Sequence, residues 1–379
     1  MTSTRSTIPP LLEPYLRLPP EASLILLTGT LGCSVSWLVS RFVGSLLQPK
    51  ILRNGLGGGG TGGSRGGRHG SGGGGGGSGG HGVGREGGEE GGGDGGDVDG
   101  VGQGVDVVLV SWMRDLAFWK SEIRRGGGVD VTKLMKRDSD ADEGNGSSGG
   151  GRFTFVDCFT SLSALPQDDE DALLSQLEER ITAAITHQNS PTKKKKRKKI
   201  FLILDTPSLL PALSLTTASH SSTLLLRLRA HPQIHSTLIT CPSDLPLLNA
   251  ATTKFSAAAG EPRQRQVVEV ESAAFIVQQA GVARWTIGVR ELETGAAGDV
   301  SGVLRVTRGA GGYGDGGWSE EDEEGEGVDE VEGGGGRGGQ QGRGGGVKGH
   351  WDEVKEMEVL YLVRRDGSAM VFARGANGL

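Results

Sequence analysis

The chain has 379 residues, of which 69 are glycine and 35% hydrophobic, and a formal net charge of -6. Glycine at more than twice its usual share of about 7% excludes one packed core over the full length, and the acid excess excludes a globally basic nucleic-acid binder, leaving only local patches. Cys33, Cys158 and Cys241 stand far apart, which excludes a disulfide framework or zinc site by spacing and points to a reducing compartment.

The first expected strand is the apolar run from Leu24 to Leu27. A helix follows, in which Val35, Leu38, Val39, Phe42 and Leu46 recur at helical spacing. As one stretch, Leu24 to Leu47 is long enough to span a membrane, but Arg41 and its Gly, Ser and Thr content oppose that reading. Strand, glycine turn and helix in this order form the layout of a phosphate-binding loop, G-x-x-x-x-G-K-[ST], whose lysine neutralises the phosphates. Counted from Gly29, the second glycine falls on Ser34, the lysine on Val35 and the hydroxyl on Ser36. Gly29, Gly32, Ser34 and Ser36 therefore read as a vestigial phosphate loop without its cation.

After a glycine-rich insertion at about 54–104, "VDVVLV" to Val110 is the second strand, with Ser111 and Trp112 at its tip. In "SWMRDLAFWK", Trp112, Arg114, Phe118 and Trp119 are candidates for a partner interface, where Trp and Arg are enriched; core packing is the competing reading. The seven-residue spacing of Trp112 and Trp119 puts them on one helical face if the helix begins that early. Asp115 follows near where a RecA-like ATPase would want its catalytic carboxylate, and a place on the outside of the next helix, beside Arg114, is an equal reading. A second insertion, about 136–151, precedes the strand "RFTFVD", and four acids from Asp168 to Asp171 open a helix with Leu173, Leu174, Leu177, Ile181, Ala184 and Ile185 on one side.

The third insertion, about 188–199, holds a lysine run that reads as a solvated loop, a nuclear signal or a nucleic-acid contact. It leads into "IFLILD", which has the form of a Walker B strand, so Asp205 is either a vestigial metal-holding acid or a turn cap. Further on lie a helix at about 221–230, a strand from Ser236, a helix at about 272–280 and two paired strands, "ARWTIGVREL" and "GVLRVTRG". Past a fourth insertion at about 309–350, "EVLYLVRRDGSAMVFARG" reads as a hairpin with Asp366-Gly367 in a two-residue turn. Continuous Val/Ile/Leu/Phe runs indicate strands buried on both faces of a parallel sheet. The expected architecture is α/β: one RecA-like domain over residues 8–375, mostly parallel with antiparallel C-terminal strands, degenerate Walker motifs and four disordered insertions. Without lysine or base, neither phosphoryl transfer nor a bound cofactor or metal is expected.

The segments "IPPLLEPYLRLPPEASLILLTGTLG", "VVLVSWMRDLAFWK", "RFTFVDCFTSL" and "IFLILDTPSLLPAL", in this order, together with the two C-terminal segments "GVLRVTRG" and "EVLYLVRRDGSAMVFARG", resemble the Elongator complex protein 6 family of filamentous fungi. The resemblance covers about residues 8–47, 105–123, 152–165, 200–308 and 357–375, with the insertions unmatched. It implies a RecA-like fold without a functional Walker A lysine, in a hetero-hexameric ring with Elongator complex proteins 4 and 5. That ring joins the catalytic Elongator subunits, which modify the wobble uridine of certain tRNAs at its fifth carbon (5-carboxymethyl-type), and tRNA binding by the assembled ring is implied with it. The chain itself is then no enzyme, has no membrane partner and works in the cytoplasm, with the lysine run leaving nuclear access open; the insertions are expected on the outer rim of the ring. Two other classes stay open: an active RecA-like ATPase with an unusual phosphate loop, and a glycine-rich RNA-binding protein acting through "SRGGRHG" and "GRGGQQGRGG".

Overall fold

The computed structural model describes residues 8–47, 105–135, 151–162, 169–188, 199–245, 248–249, 267–295, 297–312 and 354–373. Apart from a few residues at their ends, the four expected insertions lie outside the described residues, and with them the Arg-Gly segments and the lysine run up to Lys198. In chain order the elements are β1 (Leu24–Gly29), α1 (Ser36–Leu47), β2 (Asp106–Ser111), α2 (Leu116–Glu122), α3 (Val131–Met135), β3 (Phe153–Asp157), α4 (Phe159–Leu162), α5 (Glu170–Gln188), β4 (Ile200–Asp205), α6 (Leu209–Ala212), α7 (Ala218–Arg229), β5 (Ile234–Pro242), α8 (Val267–Val282), β6 (Trp285–Arg290), β7 (Gly302–Arg308), β8 (Met357–Val363) and β9 (Ala369–Ala373).

The strands form one nine-stranded sheet in the order β3-β2-β4-β5-β1-β6-β7-β8-β9. The first six positions are parallel and the last three antiparallel. Every residue of β1, β2 and β4 is buried, as the uninterrupted apolar runs require. Because successive side chains of a strand point to opposite faces, Ile25, Leu27, Val107, Leu109, Phe201 and Ile203 join a core under α1 and α2. Leu24, Leu26, Val108, Val110, Leu202 and Leu204 join a second core under α5, α7 and α8. β6 belongs to both patterns, parallel to β1 and antiparallel to β7, which makes the C-terminal strands an extension of the same sheet.

The stretch read as a membrane candidate is a strand, a loop and a helix, and among the described residues no helix is long and apolar enough to cross a membrane. α1 is instead buried nearly all round, only Ser45 being partly open, because protein covers its outer side as well. Gly126 and Gly127, in the π-turn that follows α2, press onto it so closely that a Cβ on Gly127 would stand 2.4 Å from the Ser40 carbonyl oxygen. Arg41, 1% exposed, donates to the Gly367 carbonyl at 2.9 Å and so ties the C-terminal hairpin onto α1. Burial pushes its guanidinium pKa down, against an opposing pull from Asp366.

The hairpin turn differs from the two-residue expectation. Arg364 pairs with Ser368 through its N–H, and the Gly367 N–H returns to the Arg364 carbonyl. The loop is thus the three residues Arg365–Gly367, with Gly367 in the left-handed region at φ 83°, where glycine carries no steric penalty.

Candidate crevice at the carboxyl ends of the parallel strands

After β1 and β2 the chain turns to the face covered by α1 and α2, whereas after β4 and β5 it turns to the face covered by α7 and α8. Adjacent strands whose exits diverge leave a crevice at their carboxyl ends, which is where ligands bind in open α/β sheets. Here the divergence falls between β2 and β4 and between β5 and β1. A crevice of about 410 Å³ spans both, lined by the loop from Gly29 to Val35 and by Met113, Arg114, Thr206, Thr240 and Asp244.

The loop after β1 joins strand to helix in the expected order, and four amides between Thr30 and Ser36 donate within the chain. Thr30 N–H donates to the Val289 carbonyl at 3.1 Å and Cys33 N–H to the Thr30 carbonyl at 2.9 Å. Leu31 N–H donates to Asp244 Oδ1 at 2.5 Å and Ser36 N–H to Ser34 Oγ at 3.2 Å. The Ser34 and Ser36 hydroxyls also meet, at 2.8 Å. Gly29 is required by close approach, since a Cβ there would lie 2.5 Å from the Cys33 carbonyl oxygen, and Gly32 by its φ of 87°. Val35 is buried. The charges at the loop are carboxylates: Asp244 on the Leu31 amide, and Glu291, whose Oε1 lies against Gly32.

Asp205 is fully buried at the end of β4. Its Oδ2 accepts from Ser111 Oγ at 2.8 Å, and its Oδ1 accepts from Arg114 Nη1 at 3.1 Å, Thr240 Oγ1 at 3.0 Å and Thr206 Oγ1 at 3.2 Å. Thr206 sits at φ 60°, a left-handed conformation rare for a β-branched residue, and its N–H donates to Thr240 Oγ1 at 2.9 Å. Arg114 faces Asp205 on one side and lies over the Phe118 and Trp119 rings, 5.0 and 5.9 Å from their centroids, on the other. With four protein donors on one carboxylate and two further carboxylates at the loop, this donor set does not fit a magnesium-bound triphosphate, although the volume would admit one.

The aromatic candidates separate. Trp112 and Trp119 are both 0% exposed, Trp112 in the core under α5, α7 and α8 and Trp119 in the core under α1. They do not share a helical face, because Asp115 caps α2 by accepting from Phe118 N–H at 2.8 Å and Trp112 lies before the helix starts. Their burial within the chain removes them as surface anchors; Phe118 and Arg114 keep partial exposure. Asp115 is exposed, as the cap that precedes α2 and not as a residue within the helix.

Comparison with models of known protein families and with curated proteins finds no match. Arg114, Thr240, Asp244 and Glu291 were not legible as members of the crevice, because they converge only through the strand order β2-β4-β5-β1-β6. The one available signal was Ser111 at the tip of β2, which becomes the neighbour of Asp205 once β2 and β4 pair.

Proposed function

We propose that the chain is a non-catalytic, RecA-like subunit of the Elongator type, forming a hetero-hexameric ring with Elongator complex proteins 4 and 5 that supports wobble-uridine modification of tRNA. The ordered set of segments that resembles the family is one support. The observation that supports the reading is the crevice: a strand, a glycine loop and a helix border it, and a buried valine stands at the lysine position of the phosphate-loop pattern. Arg114 and three hydroxyls occupy the Asp205 carboxylate, and Asp244 and Glu291 oppose an incoming phosphate.

The edge around the crevice suits a protein neighbour. Phe159, Met113, Leu213, Leu245 and Leu31 are exposed, and they follow β3, β2, β4, β5 and β1, five adjacent strands of the sheet. Leu31 is 84% exposed. Exposed apolar side chains gathered towards one end of the sheet fit an interaction site.

The test is co-expression with the two sister subunits, purification on a tag carried by this chain, and the mass of the complex. Two copies of each protein support the reading, and Leu31→Glu/Leu245→Glu should break the assembly without unfolding the chain. A monomer that binds ATP saturably would overturn it.

A further inference from the structure

β9 closes one side of the sheet without the usual guards. An edge strand exposes unpaired N–H and C=O groups and is ordinarily blunted by charge, proline, a bulge or a covering element. β9 reads Ala369, Met370, Val371, Phe372, Ala373, with no charge or proline and with an unbroken register to β8. β3, at the other edge, carries Thr154 and Asp157 instead. The hairpin fixes which backbone groups of β9 are free. Arg364 N–H donates to the Ser368 carbonyl, and the Tyr361 carbonyl accepts from Ser301 N–H on the β7 side. Alternation along an antiparallel pair then directs the N–H and C=O of Met370 and Phe372 to Leu362 and Leu360 of β8, and those of Ala369, Val371 and Ala373 to the open side. Among the described residues no strand lies beside them there.

The side chains of β9 divide in the same way. Ala369 and Val371 pack into the core under α1 and α2. Met370, 44% exposed, and the partly buried Phe372 lie on the opposite face of the sheet, across from Leu362 and Leu360. Val303 continues the row beyond Leu360. These five side chains stand outside both cores, so the face away from α1 carries an apolar patch that runs up to the open edge and stops there.

We propose that β9 pairs with β9 of a second copy of this chain, antiparallel about a two-fold axis at Val371. The strand is complementary to itself in that register. Its outward residues meet as Val371 with Val371, Ala369 with Ala373 and Ala373 with Ala369, hydrogen-bonded pairs that together supply about six backbone bonds. Between them Met370 stands across from Phe372 of the second copy, once on each side of the axis, in the closely spaced non-hydrogen-bonded positions where a thioether and a ring attract. The row Leu360-Phe372 runs on into Met370-Leu362 of the second copy, and the apolar patch becomes continuous across the axis. A shift of one residue would set outward backbone groups against inward ones, and a larger shift would leave part of the strand unpaired. Such an interface is isologous and closes at two copies. The pairing needs no other subunit and stands apart from the function proposed above.

The test is sedimentation velocity of the full chain alone, where the mass should rise from one copy to two between about 1 and 100 μM. Met370→Lys/Phe372→Lys sets like charges across from each other on both sides of the axis and should weaken dimerisation at least about tenfold. Met370→Glu/Phe372→Glu should do the same. Mixed one to one, the two variants bring opposite charges together in the proposed register and should dimerise again, which also shows that both are folded. Leu226→Lys/Val277→Lys, at exposed apolar positions of α7 and α8, should dimerise like the parent. A chain that stays monomeric throughout the range would overturn the pairing and leave the edge to a strand of another protein. So would a dimer that survives in both charged variants, or a mixture that associates no better than its components. A dimer broken by Leu226→Lys/Val277→Lys would overturn it in favour of the helix face. None of these outcomes bears on the ring, because the sister subunits are absent from the measurement.

Discussion

Arg114→Met tests how the crevice is held together. Asp205 is fully buried, and the Arg114 guanidinium, 24% exposed, stands 3.1 Å from its Oδ1. At that distance and an effective dielectric of about 20, the Coulomb attraction is about 5 kcal/mol. Breaking a buried pair by removing one partner costs about 3–5 kcal/mol. The hydroxyls of Ser111, Thr206 and Thr240 stay on the carboxylate, which places the expected loss near the low end, about 3 kcal/mol. For a folded region of this size that is a fall of roughly 6–12 °C in Tm. Asp205→Asn should cost less, about 1–2 kcal/mol, because an amide oxygen still accepts from the hydroxyls and the partly exposed arginine reaches water. Urea denaturation followed by tryptophan fluorescence gives the full cycle, and the double variant should be more stable than the sum of the singles implies by at least about 1.5 kcal/mol. If Arg114→Met stays within about 0.5 kcal/mol of the parent and the coupling vanishes, the pair behaves as a surface ion pair, and its role in closing the crevice is refuted.

Placing the motif lysine with Val35→Lys should not create a nucleotide site, because position 35 is buried and the Thr30, Leu31, Cys33 and Ser36 amides have protein acceptors; saturable micromolar ATP binding by calorimetry would contradict this. Gly127→Ala should destabilise by about 1–3 kcal/mol, since its Cβ would meet the Ser40 carbonyl oxygen at 2.4 Å. Gly281→Ala, in α8 with nothing within 4 Å of the new Cβ, should instead stabilise by up to about 1 kcal/mol; thermal melts of the two should move in opposite directions. Burial, reinforced by Lys199 and opposed by Glu21 and a hydrogen bond donated to the Pro19 carbonyl, holds the His235 imidazole below its ordinary pKa. The unfolded chain therefore takes up that proton first, near pH 6.5, so stability is kept above this pH and lost as pH falls below it. His235→Gln should flatten the decline in the urea midpoint between about pH 7 and 5; an unchanged decline would place its origin elsewhere.

Strand positions were legible where burial on both faces leaves no polar residue to blur the ends: "IFLILD" is β4 residue for residue. The helix opened by Asp168 to Asp171 was legible for the same kind of reason, with Leu173, Leu177, Ile181 and Ile185 all buried along one side. What failed depends on register or on contacts distant in sequence. Asp366-Gly367 fits either a two- or a three-residue loop, and the pairing of Arg364 with Ser368 decides between them. Trp112 and Trp119 looked like one face because the start of α2 was unknown, and the Asp115 cap that fixes it is a local hydrogen bond common to many non-helical Asp residues. Asp205 was found, but not its partner, since Arg114 lies 91 positions away and reaches it only because β2 and β4 are neighbours.

The loop after β1 also shows how a glycine turn between strand and helix can hold its shape from within the chain. In a working phosphate loop, glycines open the backbone so that amides converge on the ligand. Here the same glycines serve the chain's own geometry, Gly29 through the Cys33 carbonyl and Gly32 through its left-handed backbone. The amides converge on internal acceptors: the Thr30 carbonyl for Cys33, the Asp244 carboxylate for Leu31 and the Ser34 hydroxyl for Ser36. Ser34 thereby satisfies an amide at the start of α1, as an N-capping side chain does. A loop that depended on phosphate for its shape would leave these donors without partners in the free chain. This one supplies acceptors for the Leu31, Cys33 and Ser36 amides, so strand, turn and helix hold their shape with valine at position 35.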